Sequence, residues 1–303
     1  ALAKCPFRFF LEHVLGLEPL EEMERDSFQW LEPRQRGNLL HAVFCRFMEE
    51  LGERGERPRL SRHLGRIEAL ALEEVERWRE EIPPATDLVA AHETRDVLRS
   101  VRVFLQDEEG HCRRVEPAFF ELDFGQAGGR GGRGGAAPVE VTVPGAGAFR
   151  LRGRIDRVDR VGEGAYEIWD YKTGRARDHL DPKAYRQGRV LQHALYALAA
   201  ERVLEERLGS EVRVVRSGYF FASPKGEGER ITRTAGDWEN LGGTLSALFE
   251  LMRGGVFPAA YEDKLCRSCD YKAACGGKDA VARTKGKLED DPVAPLRRLK
   301  DGR

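Results

Sequence analysis

The sequence predicts an α+β fold, with a helical N-terminal layer packed on a mixed β-sheet. Three observations lead there. Apolar stripes at helical spacing fill most of residues 2–107, strand-like alternation takes over from residue 115, and one long helical stretch separates the last strands from the earlier ones. Helices segregated from a run of strands are the mark of this fold class.

The first helix covers residues 2–16. Pro6 is tolerable in its first turn, Gly16 is a natural stop, and Phe9, Leu11, Val14 and Leu15 supply core. Cys5 reads most simply as a small buried hydrophobe. Residues 17–33 are acidic and irregular. A strongly amphipathic helix follows from residue 35 to 51, with Leu40, Val43, Phe44, Phe47, Met48 and Leu51 as its stripe. His41 borders that stripe, where a lone histidine is more often a hydrogen-bonded structural residue than a ligand. Cys45 lies one turn further on, most simply in the core. Residues 62–80 and 87–107 give two more helices, whose Arg- and Glu-rich outer faces are solvated.

In the strand region Phe119, Glu121 and Asp123 alternate with Phe120, Leu122 and Phe124. The glycine-rich residues 125–135 resemble an RGG segment able to touch nucleic acid; a flexible hairpin loop is the simpler reading. Residues 139–143 resume a strand, and Phe149 leads into a hairpin formed by 151–160 and 166–174 across a short Gly-containing turn. Alternation places Arg152, Arg154, Asp156 and Val158 on one face, and Tyr166, Ile168, Asp170 and Lys172 on one face of the second strand. With the turn centred near Glu163, Asp156 stands opposite Asp170, their Cβ atoms about 5 Å apart. Like charges so placed destabilise a sheet, and a hard divalent cation held by carboxylates resolves the conflict. Two carboxylates, a metal and the nearby Lys172 ammonium suit phosphodiester hydrolysis. Arg150, Arg152 and Arg154 share that strand and could guide phosphates, although an exposed polar edge explains them equally well.

Arg175, Arg177 and His179 lie in the loop that follows. A long helix is expected from 182 to 208, with Leu191, Leu195 and Leu198 on its core side. Gln192 and Tyr196, four apart, project from the same flank, by themselves an ordinary surface contact. Residues 212–222 and 229–234 give two strands joined by a turn, and residues 237–253 a helix capped by Asp237.

Residues 266–275 carry a C-x2-C-x5-C pattern, one thiol short of a four-thiolate cluster site. A four-thiolate zinc site would usually offer a second C-x2-C pair. Cys5 is the best fourth ligand, and spacing alone leaves His179 and Cys112 open. No secretory signal is apparent, so a metal or cluster site is favoured over disulfides, and a cytoplasmic location is expected.

A chain of 303 residues holds one large domain or two small ones. The expected organisation is a single domain over 1–280, divided into a helical part (1–110), a core (111–258) and a cysteine segment (259–280), with a disordered tail at 281–303. No apolar run approaches the roughly 18–20 residues that span a membrane. The net charge of −1 gives no support for nucleic-acid binding, so that case rests on local clusters. A start at Ala1, without Met and already in helical sequence, reads as a fragment or isolated domain of a longer protein.

Gly153-Arg-Ile-Asp156, Asp170-Tyr-Lys172 and Gln192-x3-Tyr196, preceded by His41 on an N-terminal helix, together resemble the PD-(D/E)XK nucleases of the RecB type. The opening Cys5-Pro-Phe-Arg-Phe-Phe and the C-terminal cysteine pattern resemble their iron–sulfur branch, which includes AddB-type nuclease domains of bacterial helicase–nucleases and the CRISPR-adaptation exonuclease. The opening motif and the length favour the AddB-type, whose nuclease domain is C-terminal. The resemblance spans Cys5 to Cys275, and five motifs in order make it specific.

It implies a restriction-endonuclease-like core stapled by a metal cluster. It also implies a Mg²⁺- or Mn²⁺-dependent DNA exonuclease acting on single-stranded ends in double-strand break repair and recombination. A helicase motor would sit in the same longer chain or in a partner subunit. His41, Asp156, Asp170 and the carbonyl of Tyr171 would bind the metal. Lys172 would position or activate the attacking water and stabilise charge on the phosphate. Gln192 and Tyr196 would support the site and the DNA, and Glu121 could reach the metal through water. Cys5, Cys266, Cys269 and Cys275 would hold a [4Fe–4S] cluster in a structural role, worth roughly 5 kcal/mol at most by analogy with a disulfide closing so long a loop. The alternatives are a non-catalytic DNA-binding or scaffold domain of a helicase complex, and a stand-alone exonuclease of the CRISPR-adaptation kind.

Overall fold

The computed structural model describes residues 1–19, 29–125, 137–181, 185, 187–234, 240–267 and 269–301. The glycine-rich segment beyond Gly125, the expected helix start at Pro182 and the expected cap Asp237 lie outside these residues.

The N-terminus forms α1 (Pro6–Phe9), which runs into a π-helical turn over Phe10–Val14 instead of one regular helix. Cys5 caps α1, its Sγ accepting from the Arg8 N–H at 3.4 Å. Phe9 and Phe10, consecutive in sequence, both stack on Phe257. Helix α2 (Pro33–Glu53) starts with proline in its first turn and a capping box between Glu32 and Gln35. Helices α3 (Leu60–Glu81) and α4 (Asp87–His111) follow, α4 capped by the Thr86 hydroxyl. Their stripes meet in one core with the sheet, centred on Phe44, Phe104, Tyr171 and Phe220. Each fully buried side chain of this size contributes about 1.5–3 kcal/mol, which is what fixes the helical layer over the strands.

The main sheet contains β1 (Glu116–Phe124), β4 (Gly153–Gly162), β5 (Ala165–Tyr171), β6 (Arg213–Phe220) and β7 (Arg230–Arg233), in the order β1-β4-β5-β6-β7. Only β5 and β6 run parallel, so the sheet is mixed as expected. Strands β2 (Val139–Val143) and β3 (Gly147–Leu151) form a separate hairpin. Arg150 therefore belongs to β3, not to the strand of Asp156, and the three-arginine row is broken.

The β4–β5 register is the one expected from a turn near Glu163: Arg157 pairs with Trp169, Val158 with Ile168 and Asp159 with Glu167. The facial alternation departs from expectation. Ile155 and Val158, three apart, pack in one apolar cluster with Leu122 and Phe124. Arg157 lies against Phe120 and Asp159 against His111, on the helical side. The alternation therefore breaks between Ile155 and Arg157. Across the break, between the pairs Phe120–Arg157 and Leu122–Ile155, Glu121 has φ +47°. A positive φ at a non-glycine residue is uncommon, and such residues cluster at functional sites.

After α5 (Arg177–Leu180), helix α6 (Gln192–Leu208) makes the crossover between the parallel strands and covers the second face of the sheet. Among the described residues Tyr185 is helical, residues 187–191 are not, and α6 runs from Gln192. Gly188 sits in this interruption: it holds φ +72°, and a Cβ there would lie 3.1 Å from Ala3 Cβ. The buried side of α6 is its small face (Ala194, Ala197, Ala200 with Val203 and Leu204), while Leu191, Leu195 and Leu198 are only partly buried.

Helix α7 (Leu241–Arg253) precedes the cysteine segment with α8 (Lys272–Cys275). The expected disordered tail is instead helical, α9 (Lys278–Gly286) and α10 (Ala294–Asp301). Leu288, Val293, Leu296 and Leu299 pack against Leu2, Leu248 and Leu251, closing the chain's two ends into one core. That apolar spacing was outweighed in the sequence by the surrounding charge.

Candidate active site

The site lies where β4 and β5 end beneath α2 and the start of α6. Just beyond the Arg157–Trp169 pair of the hairpin, Asp170 comes close enough to Asp156 to feel its charge. The strand crossing also lets Asp156 Oδ2 accept the Tyr171 N–H at 2.7 Å. Helix α2 reaches over the strands through its apolar stripe, which leaves His41 at the boundary. There His41 Nδ1 lies 3.4 Å from Asp156 Oδ1 and 3.8 Å from Glu121 Oε1, and Nε2 lies 3.2 Å from the Tyr171 carbonyl oxygen. On the other side Lys172 forms an ion pair with Asp170 Oδ2 and approaches Gln192 Oε1 at 3.4 Å. The Gln192 amide donates to Asp170 Oδ1. Tyr196, one turn along α6, packs edge-on against Phe124. Its close approach requires Gly153, where a Cβ would lie 3.0 Å from the Tyr196 hydroxyl and 2.9 Å from Phe124.

His41, Asp156, Asp170, Tyr171, Lys172, Gln192 and Tyr196 thus converge. Glu121 belongs with them more closely than the sequence suggested. Ligand atoms of His41, Glu121 and Asp156 all lie within 4.8 Å of one another. Arg154 pairs with Glu121 at 2.7 Å, so this arginine is engaged at the site and does not line an open track. The alternation of Glu121 with Phe120 and Leu122 was the available signal, but the twist that aims its carboxylate at His41 has no mark in the sequence.

The electrostatics fit a cation. Burial, then the charge of Asp156, lifts Asp170 to about 6, outweighing Lys172. Burial and Asp156 also push the Glu121 carboxyl up. Burial opposes the charged form of His41, yet Asp156, Glu121 and Asp170 raise it to about 9. Glu121 Oε1 is buried without a hydrogen-bond partner. A crowded set of carboxylates, a histidine, a backbone carbonyl and an orphaned carboxylate oxygen suits a hard divalent ion that tolerates one nitrogen ligand.

Cys5, Cys266, Cys269 and Cys275 line one cavity of about 280 Å³, together with Arg8 and Tyr271. The Gly277 N–H points to Cys275 Sγ at 3.3 Å, as the Arg8 N–H does to Cys5. Burial, followed by the neighbouring thiols, raises the Cys266 thiol, a conflict that bound cations would relieve. Of the candidates that spacing left open, Cys5 lines this cavity and the others do not. Cys112 is buried against Glu108 at 3.2 Å and His179 packs on Tyr219, both outside this cavity. Cys45 is half-buried on α2, also outside it. A second acidic group, His111 with Asp159 and Glu167, is wholly buried between α4 and the sheet in an ionic network with Arg157 and Glu108. There it ties α4 to β4 and β5.

Compared with known families, residues 1–276 match the PD-(D/E)XK nuclease superfamily. The chain is 32% identical over 232 residues to the B-type subunit of the ATP-dependent helicase/deoxyribonuclease of Moorella thermoacetica, covering 72% of this chain and 18% of that protein. It is 29% identical over 212 residues to the protein of the same name from Symbiobacterium thermophilum, covering 66% of this chain and 17% of that one. The chain therefore spans less than a fifth of the relatives' length. Among the described residues no helix is long and apolar enough to cross a membrane.

Proposed function

The chain belongs to the PD-(D/E)XK nuclease superfamily, and from that premise we propose that it is the metal-dependent DNA exonuclease domain of a longer helicase–nuclease subunit. Its substrate is single-stranded DNA at ends delivered by a motor elsewhere in the same chain or in a partner, in double-strand break repair. The observation that carries the reading is the convergence of His41, Asp156 and the Tyr171 carbonyl with Asp170, Lys172 and Gln192.

His41, Asp156, Asp170 and the Tyr171 carbonyl would hold Mg²⁺ or Mn²⁺, with Glu121 beside them. When bound, the ion lowers the pKa of water and neutralises charge on the scissile phosphate. Asp170 orients the Lys172 ammonium, which donates to the attacking water or to a phosphate oxygen as charge develops there. Gln192 fixes Asp170 in that pose. Tyr196, wedged against Gly153 and Phe124, keeps α6 close to the strand ends. Cys5, Cys266, Cys269 and Cys275 would hold a [4Fe–4S] cluster, a staple between the first helix and the C-terminal segment.

End-labelled single- and double-stranded DNA, incubated with and without Mg²⁺ or Mn²⁺, tests the reading. Cleavage that needs the metal, is fastest on single strands and is lost in Asp170→Ala and Lys172→Ala supports it. DNA binding without metal-dependent cleavage, or undiminished cleavage in both variants, points instead to a scaffold domain.

A further inference from the structure

Tyr219 stands opposite Asp170 in the register of the parallel strands β5 and β6. Its side chain is almost fully buried, and its ring lies under Lys172, whose Nζ is 5.6 Å from the ring centroid. That is within the range at which an ammonium is attracted to a ring face. The same Nζ is held from other sides by the Asp170 carboxylate and by Gln192 Oε1. The ring is anchored in turn: its hydroxyl hydrogen-bonds with His193 Nδ1 at 3.4 Å, and His193 directly follows Gln192 on α6. The His179 ring packs on it in a T-shaped arrangement, ring centroids 4.5 Å apart. One side chain thus meets the ammonium with its face and the helix that carries Gln192 with its hydroxyl.

We infer that Tyr219 is a positioning residue for Lys172: its ring face closes the third side of the ammonium's seat. This rests on the nuclease reading. A lysine has a flexible four-carbon stem and a freely rotating donor head. An ion pair with one carboxylate leaves the head many poses, and a ring beneath it removes most of them. Order established before substrate arrives need not be established during the reaction.

The test uses the full chain with three replacements at this position: Tyr219→Phe, Tyr219→Met, and 3,4,5-trifluorophenylalanine, which matches phenylalanine in shape but has little charge on its face. Two quantities are measured. One is steady-state cleavage of a single-stranded oligonucleotide with Mg²⁺. The other is competitive acetylation of Lys172 in metal-free protein, quantified by mass spectrometry against exposed Lys225.

Phenylalanine keeps kcat and Lys172 acetylation within about twofold of wild type. The trifluoro residue and methionine lower kcat about three- to tenfold at unchanged KM and raise acetylation of Lys172, but not of Lys225, by a similar factor. Equal kcat and equal Lys172 acetylation for phenylalanine and its trifluoro analogue overturn the inference, because a purely structural role depends on shape alone. If Tyr219→Met does not fold, that pair still decides. If wild type does not cleave DNA, the nuclease reading fails by that result, and acetylation alone decides the role of Tyr219.

Discussion

His41 Nδ1 lies 3.4 Å from Asp156 Oδ1, across 115 positions of sequence that share no local structure. The contact exists because the stripe of α2 docks on Phe104 and Tyr171 and carries His41 over the strand ends. It makes the metal-free site a stored imidazolium–carboxylate pair, with His41 held at about 9.

The sign of the resulting pH dependence follows. Below pH 9 the metal-free ring carries a proton that metal ligation must displace. Metal affinity should rise as pH increases from 6 toward 9, with protons released on binding at pH 7. Calorimetry in buffers of different ionisation enthalpy measures that release, and His41→Asn should abolish its histidine part. In chelated protein the same group has a folded pKa above its unfolded one of 6.5. Its stabilising contribution is full below pH 6.5 and fades as pH passes 9.

Glu121 should matter without being indispensable. Its carboxylate adjoins His41 and Asp156, and groups that support metal ligands typically cost 10–100-fold in metal affinity or activity when removed. Glu121→Gln is expected to fall in that range with the fold unchanged by circular dichroism, against a loss of about 10²–10³-fold or more for Lys172→Ala. Titration of cleavage with Mn²⁺ separates the two, because extra metal should rescue only Glu121→Gln.

The network between α4 and the sheet makes its own prediction. Glu108 is buried between Arg157 and Arg230, at 3.1 and 2.5 Å. Burial pushes its carboxyl up, but the two guanidinium groups outweigh burial and hold it near 2. A depressed pKa stabilises above the unfolded value of 4.5, and that contribution is lost as pH falls from there toward 2. Glu108→Gln leaves buried arginines short of a partner and should cost about 3–5 kcal/mol at pH 7. Urea unfolding at pH 7 and pH 3 should show a smaller penalty at the lower pH.

Removal of the proposed cluster should loosen the two ends of the chain together. Cys5→Ser is expected to lose visible absorbance and iron. It should also lower the free energy of unfolding by an amount bounded by roughly 5 kcal/mol, the closure entropy of so long a loop. Hydrogen exchange should then rise in α1 and in α10 together, since Leu2 and Leu299 share one core. Colourless protein carrying zinc would instead mark a different ion in the same thiol seat.

What the sequence determined by itself was local. A short turn set the β4–β5 register, and with it the approach of Asp170 and Lys172 to the strand of Asp156. Helical periods marked α2, α3 and α4 to within a few residues, because one stripe faces one core. Of the long-range members of the site, His41 entered only through family resemblance, whereas the C-x2-C-x5-C spacing already asked for a fourth ligand and favoured Cys5. Tertiary structure alone decided the rest. Glu121 turns toward His41 through a positive φ that breaks the strand's alternation, and no residue type there demands it. The tail folds because Leu288, Val293, Leu296 and Leu299 find an apolar surface built from the opposite end of the chain. Side-chain periodicity records which face is apolar, but where that face is buried depends on partners distant in sequence. That information exists only once the chain has closed on itself.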